Sequence, residues 1–154
     1  MYVQTILPMF VLLMEKCESK YCVCLYYSAN AFARIMTKIA DEAFASTGLS
    51  SSYAFLLMTV NEKPGIQPKE ISQQLQLTPS TITRFIEKME YRGLLERKHT
   101  GRITEVYPTK ASLKLNNQIK DAWMKLYETS SEIFGKEEVV KLTEDINSAL
   151  RKVE

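Results

Sequence analysis

The residues best suited to do chemistry gather between Thr78 and Arg102, and the chemistry they suggest is recognition of a polyanion. Six cations (Arg84, Lys88, Arg92, Arg97, Lys98 and Arg102) face three carboxylates (Glu87, Glu90 and Glu96), giving this stretch +3 in a chain whose total is +2. Positive charge is thus concentrated rather than spread, which suits nucleic acid, although a solvated helix face looks much the same. Within it, Ser80, Thr81, Thr83, Arg84 and Lys88 recur on one side of a helical pattern that begins at Thr78-Pro79. Small hydroxyls let a helix approach phosphates or base edges closely, its N-terminus favours anions, and an arginine can hold a guanine edge bidentately. The plainer alternative is a capped helix with a solvated ladder of charges.

Other chemistries find little support. The chain has a single histidine, His99, at an expected loop tip, so a Ser-His-Asp arrangement would have to stand on an exposed hairpin; a solvated or phosphate-side role fits His99 better. There is no Gly-rich phosphate loop or nucleophile elbow, so an enzyme is the weakest class and no cofactor is expected. Cys17, Cys22 and Cys24 match no common zinc spacing, and no metal is expected. An odd, clustered set of cysteines without a secretory leader points to a cytoplasmic protein. The opening MYVQTILPMFVLL is apolar but short for a membrane span and broken by Pro8, so no membrane partner is expected. Met14 begins more ordinary polar sequence, leaving residues 1–13 as a candidate upstream extension.

The elements that must position these groups follow from periodicity. Apolar residues make up 45% and charged residues 25% of 154, which suits one globular domain rather than disorder. Cys22, Leu25, Ala29, Phe32, Met36, Ile39 and Ala43 form the seam of a long amphipathic helix. Two more seams run through Leu115, Ile119, Ala122, Leu126, Ser130 and Ile133, and through Val139, Leu142, Ile146, Ala149 and Val153. Their length exceeds what a small core needs, which points to a partner chain, with intrachain packing the alternative for each.

Between them lies a shorter-period middle. Ser50 is placed to cap a helix with Tyr53, Leu56, Leu57 and Val60 inward, ended by Pro64-Gly65. Pro68 opens a short helix with Ile71 and Leu75 on its apolar side, and Leu77 lies in the turn after it. Thr78 then caps the helix that buries Ile82, Phe85, Ile86 and Met89, until Gly93 stops it. Leu94 to Arg97 and Ile103 to Tyr107 read as strands around a polar tip, Lys98 to Arg102.

Residues 68–98, PKEISQQLQLTPSTITRFIEKMEYRGLLERK, resemble the DNA-binding core of the MarR family of bacterial regulators, and the similarity extends over residues 22–154. The resemblance implies a mainly α, winged helix-turn-helix protein with a short β-hairpin wing, acting as a homodimer on double-stranded DNA. Residues 1–154 would then be a single domain: an N-terminal extension (1–21), dimerisation helices (22–47 and 110–154) and a DNA-binding lobe (49–108). The implied DNA contacts are Ser80, Thr81, Thr83, Arg84, Lys88, Lys98 and Arg102. The family's wing usually carries Asp-x-Arg in a longer tip; here it is shortened to Lys98-His-Thr-Gly-Arg102, with Arg102 the counterpart of the wing arginine. The family's frequent Gln-aromatic pair is Tyr53-Ala54 here.

The implied function is a ligand-responsive transcriptional repressor on a palindromic operator. Its effector pocket would lie near Tyr26, Tyr53 and Trp123 and would suit a small aromatic or phenolic effector. The segment from Cys22 to Tyr26 also resembles the organic-hydroperoxide-sensing branch of the family, which implies Cys22 as an oxidised switch; both cysteines equally fit an apolar helical face, and the branch's second tyrosine falls on Met36. A winged-helix protein-interaction adaptor without DNA binding is the reading from another class.

Overall fold

The computed structural model describes residues 19–101 and 103–153. Residues 1–18 and Arg102 therefore lie outside the described residues, and with them most of the expected extension and the wing arginine. The chain divides into two compact units, Met1–Lys38 and Ile39–Glu154. The boundary falls within the first described helix, α1 (Leu25–Phe44).

In the first unit the helix starts at Leu25, three residues later than the Cys22 seam suggested. Residues 21–23 form a turn, closed by the Cys24 N–H donating to the Tyr21 carbonyl at 2.9 Å. The Ser28 hydroxyl donates to the Cys22 carbonyl at 2.9 Å, taking up an acceptor that a helix beginning at Cys22 would have handed to its own backbone. Leu25, Tyr26 and Ile35 are exposed along this stretch.

The second unit contains the end of α1, a 3-10 turn (Ala45–Thr47), α2 (Ser51–Glu62), α3 (Pro68–Leu75), α4 (Pro79–Tyr91), β1 (Leu95–Thr100), β2 (Ile103–Pro108), α5 (Lys110–Phe134) and α6 (Lys136–Leu150). Phe44, Leu56, Leu57, Val60, Ile66, Ile71, Ile82, Ile86, Met89, Val106 and Ile119 are almost wholly buried and form one core. Against the sequence reading, Tyr53, Leu75 and Phe85 only flank this core, while Ala54 and Met58 enter it. Ser50 does occupy the first cap position, but its hydroxyl makes no cap bond; its backbone carbonyl instead receives the N–H groups of Tyr53 and Ala54, each at 3.1 Å.

Two turns set the direction of α4. At its start, the Thr78 hydroxyl accepts from the Thr81 N–H at 3.3 Å, with Pro79 in the first turn. At its end, Gly93 (φ +70°) sends its N–H to the Glu90 carbonyl at 2.8 Å, and Leu94 sends its own to Met89 at 2.9 Å. That pair of reverse bonds is a Schellman stop, sealed by burial of both Met89 and Leu94. The Thr109 hydroxyl then donates to the Gly93 carbonyl at 2.7 Å and accepts from the Ser112 N–H at 3.3 Å, so one side chain joins the end of α4 to the start of α5.

The hairpin is longer and its tip shorter than expected. Pairing runs antiparallel from Leu95↔Pro108 to Thr100↔Ile103. Lys98 and His99 are thus strand residues, and His99 Nδ1 lies 3.1 Å from the Thr104 hydroxyl across the ladder. Gly101 (φ +63°) lets so short a loop close with strand-compatible twist. Val106 also bridges to Ile66, and Gly65 (φ +86°) passes so near Tyr107 that an added Cβ would sit 3.0 Å from its phenol oxygen.

The terminal helices are covered unevenly. On α5, Ile119 and Ala122 are buried, Leu115 and Leu126 half-buried, and Ile133 exposed. None of the described residues of α6 is buried, and its seam residue Ile146 is 46% exposed. No single helix among the described residues is long and apolar enough to cross a membrane.

The turn between α3 and α4 is made by Gln76 at φ +51°, a conformation that costs an ordinary side chain about 1–2 kcal/mol. The Leu77 N–H returns to the Ser72 carbonyl at 3.1 Å, and the Ser72 hydroxyl donates to the Leu77 carbonyl. These bonds hold Gln76 there. Gln76→Gly should therefore stabilise the protein by about 0.5–1 kcal/mol, read as a higher urea midpoint at unchanged slope; a fall in the midpoint would contradict this account.

Candidate nucleic-acid interface

Helix α4 has two dissimilar faces. Ile82, Ile86 and Met89 are at most 1% exposed, whereas Ser80, Thr83, Arg84, Glu87 and Lys88 are exposed. Thr81 is half-buried, so it faces outward less fully than its position on the helical pattern suggested. The hydroxyls are locally engaged: Thr78 Oγ1 lies 3.1 Å from Ser80 Oγ and 2.9 Å from Thr81 Oγ1, and Thr83 donates to the Pro79 carbonyl at 2.9 Å. Their lone pairs and the first-turn N–H groups remain on the surface as a small, polar, closely approachable end.

The cations of the segment divide into those spent within the protein and those left outward. Arg97 is paired with Glu90 at 2.6 Å, and the same carboxylate accepts the Arg97 backbone N–H at 3.0 Å. The side chains of this pair are 29% and 24% exposed, which makes it a brace between α4 and β1 rather than free charge. Arg92 reaches back to the Gly48 carbonyl at 3.3 Å. Lys98 lies 3.5 Å from Glu96 and 4.4 Å from the centre of the Tyr107 ring, but that ion pair is exposed on both sides and holds the lysine only weakly. Lys88 rests 5.0 Å above the Tyr53 ring, itself tilted against Phe85 with centroids 4.7 Å apart. Arg84 makes no ion pair among the described residues and points to solvent, as a base-reading arginine must.

On the outer face of the hairpin, the Tyr107 hydroxyl donates to Glu105 at 3.1 Å. That hydrogen bond, with lesser contributions from burial and the Glu105 charge, raises the phenol above the ordinary tyrosine range, while Lys98 opposes the shift. Among the other residues singled out from sequence, Tyr26 is 79% and Trp123 51% exposed, and Tyr53 is the half-buried ring beneath Lys88. Cys22 is disulfide-bonded, whereas Cys24 is a free, exposed thiol. Among the described residues, no group of three or more His, Cys, Asp or Glu is placed to hold a metal ion. Tyr91 escaped the sequence reading. It is the last residue of α4 and 93% exposed, and its spacing of seven from Arg84 and eleven from Ser80 was the available signal.

A short helix, a tight turn, a second helix with one buried and one polar face, and a two-stranded wing define a winged helix-turn-helix. Residues 49–101 match the MarR family, and the winged-helix lobe is a domain of that family. Over 86 residues the chain is 23% identical to YybA of Bacillus subtilis (strain 168), an uncharacterised HTH-type transcriptional regulator. That alignment covers 54% of this chain and spans only 57% of the relative's length. Among solved structures, MepR of S. aureus in complex with DNA superposes with a TM-score of 0.72 at 16% identity, covering 83% of this chain and 97% of that one. PcaV of Streptomyces coelicolor, in complex with its natural ligand, gives 0.77 at 16% identity, covering 90% and 99%. These structural likenesses are likenesses of fold.

Because Glu90 meets both the charge and the backbone of Arg97, Glu90→Ala should cost roughly 1–2 kcal/mol in chemical denaturation. Glu90→Gln keeps an acceptor for the Arg97 N–H and should lose less. Equal losses from the two substitutions would show that the backbone bond contributes nothing.

Proposed function

We propose that this chain is a sequence-specific, DNA-binding transcriptional regulator that acts in the cytoplasm as a homodimer, as a ligand-responsive repressor on a two-fold symmetric operator. The observation that carries the reading is the outward face of α4, where hydroxyls and an Arg84 without an ion pair among the described residues stand opposite the buried Ile82, Ile86 and Met89. A protein-interaction adaptor has no need of such a face, which is why DNA is favoured over that alternative. The MarR-family match of the lobe and the likeness to a fold-relative bound to DNA support the same reading.

The homodimer is supported by α6, which has no buried residue among those described and leaves Val140, Ile146 and Leu150 exposed. Two copies related by a two-fold axis would present their α4 helices to successive major grooves, with half-sites one helical turn apart, roughly 34–36 Å. Ser80, Thr83 and Arg84 are the assigned base-side group, with Thr81 beside them. Lys88, Lys98 and Arg102 are assigned to phosphates, Arg102 on its place in the sequence alone.

For the signal, the fold-relative solved with its natural ligand favours a small molecule over oxidation. Tyr53 is the residue here that couples such a site to DNA, since an aromatic anion stacking on its ring would compete for the Lys88 ammonium above it. Such a ligand regulates only if it prefers the non-binding arrangement of the protein. Tyr26 and Trp123 stay with the proposed pocket on the family resemblance. The thiol-switch alternative runs through Cys22, whose disulfide is the oxidised form such a switch would reach, and it stays the rival route.

Two measurements test this. Sedimentation at micromolar concentration should show two chains, and a concentration-independent monomer would remove the dimer and its paired half-sites. In gel shifts against the DNA neighbouring the gene, Arg84→Ala should cost about 1–3 kcal/mol and relax preference at one position in each half-site, whereas Lys88→Ala should weaken all sequences alike. Wild-type protein that binds no duplex at low salt would leave the adaptor reading in its place.

A further inference from the structure

Tyr91 is the large hydrophobic side chain of α4 left almost entirely in water, at 93% exposure. Its direction is fixed by the helix. At about 100° per residue it lies roughly 20° from both Ser80 and Arg84 around the axis, and about 160° from Met89 in the core. Tyr91 therefore shares the face proposed to read DNA, and the neighbouring Arg92 does not compete for that place, because its guanidinium turns back to Gly48.

Distance along the helix separates its role from that of the N-terminal residues. Eleven residues at 1.5 Å place Tyr91 about 16 Å from Ser80, beyond the roughly 12 Å width of the major groove. Glu87, on the same face, is only about 10 Å from Ser80 and stays within that width, where its carboxylate meets base edges rather than phosphates. A straight helix seated with Ser80 and Arg84 on the bases must bring its last turn level with the sugar-phosphate backbone. The group that arrives there is a phenol: a flat apolar ring able to lie on deoxyribose, with an O–H to donate to a phosphate oxygen.

We propose that Tyr91 is a DNA-backbone contact, its hydroxyl donating to a phosphate at the edge of the groove entered by α4. This rests on the DNA-binding reading above and assigns the C-terminal end of the interface. The contact is neutral, so it adds affinity without displacing counterions and without reading sequence.

The test uses the full chain and two labelled duplexes, one of random sequence and one enriched from a random library by the wild-type protein, titrated over a series of salt concentrations. Tyr91→Phe should weaken binding to both duplexes by about tenfold, and Tyr91→Ala at least as much, with the salt slope unchanged. Lys88→Ala, the comparator, should lower that slope by about one. So exposed a residue should leave thermal stability untouched in either variant. Wild-type affinity in both Tyr91 variants would overturn the proposal, as would a loss confined to Tyr91→Ala, which would leave the hydroxyl without a role. An altered base preference in Tyr91→Phe would overturn it by placing the ring on base edges. If the wild-type protein binds neither duplex, the functional reading fails first and this assignment falls with it.

Discussion

Helix α4 can offer a face to a partner only because its opposite face is committed to the core. Ile82, Ile86 and Met89 each bury their side chains completely or nearly so, and burial of that kind stabilises by about 1.5–3 kcal/mol per side chain. Turning the helix by one residue would carry such a side chain about 100° toward water and bring a polar one in, so the rotation of α4 is fixed by several kcal/mol. The cap at Thr78 and the reverse turn at Gly93 hold its length in the same way. Everything assigned to the outward face inherits its aim from this packing. None of the outward residues needs to hold itself in place.

Electrostatics divides along the same line. The cluster of cations between Thr78 and Arg102 looks uniform in sequence, yet its members do different work. Arg97 and Arg92 tie elements of the lobe together through Glu90 and Gly48, and Arg84 is left outward. Lys88 stands between these roles, exposed to solvent and seated on a ring that continues into Phe85. A half-buried carboxylate such as Glu90 resists exchange, since removing it strands a guanidinium with little water to replace the lost partner.

Much of this was legible in the residues alone. Proline at the first helical position, a threonine cap and a glycine stop are local signals whose physics does not depend on the rest of the fold, and α3, α4 and the stop at Gly93 fall where those signals place them. Interior positions separated by three and four residues were legible for the same reason. What stayed hidden depends on contacts between segments distant in sequence. The Ser50 hydroxyl makes no cap bond, Cys22 precedes its helix, and Lys98 and His99 belong to a ladder whose register is set across the hairpin. The polar join of Asn61, Ser112 and Asn116, in which Ser112 donates to Asn61 at 2.8 Å and Asn61 to Asn116 at 3.1 Å, had no signal in either segment taken singly. Tyr91 was legible by spacing, but an aromatic at a helix end reads as core until its exposure is seen.

That polar join has a mechanical consequence. It fastens the first turns of α5 to α2, and the 25-residue helix, about 37 Å long in all, runs on to an end whose Ile133 is 56% exposed. The helix is a stiff rod held along its first half, where Ile119 and Ala122 are buried, and the length beyond multiplies angle into travel. A tilt of about 6° at Ala122 displaces the end of the helix, about 18 Å further on, by nearly 2 Å. Whatever acts on that end thus has leverage over the lobe, and a small event there is transmitted as geometry rather than as a chain of softened contacts.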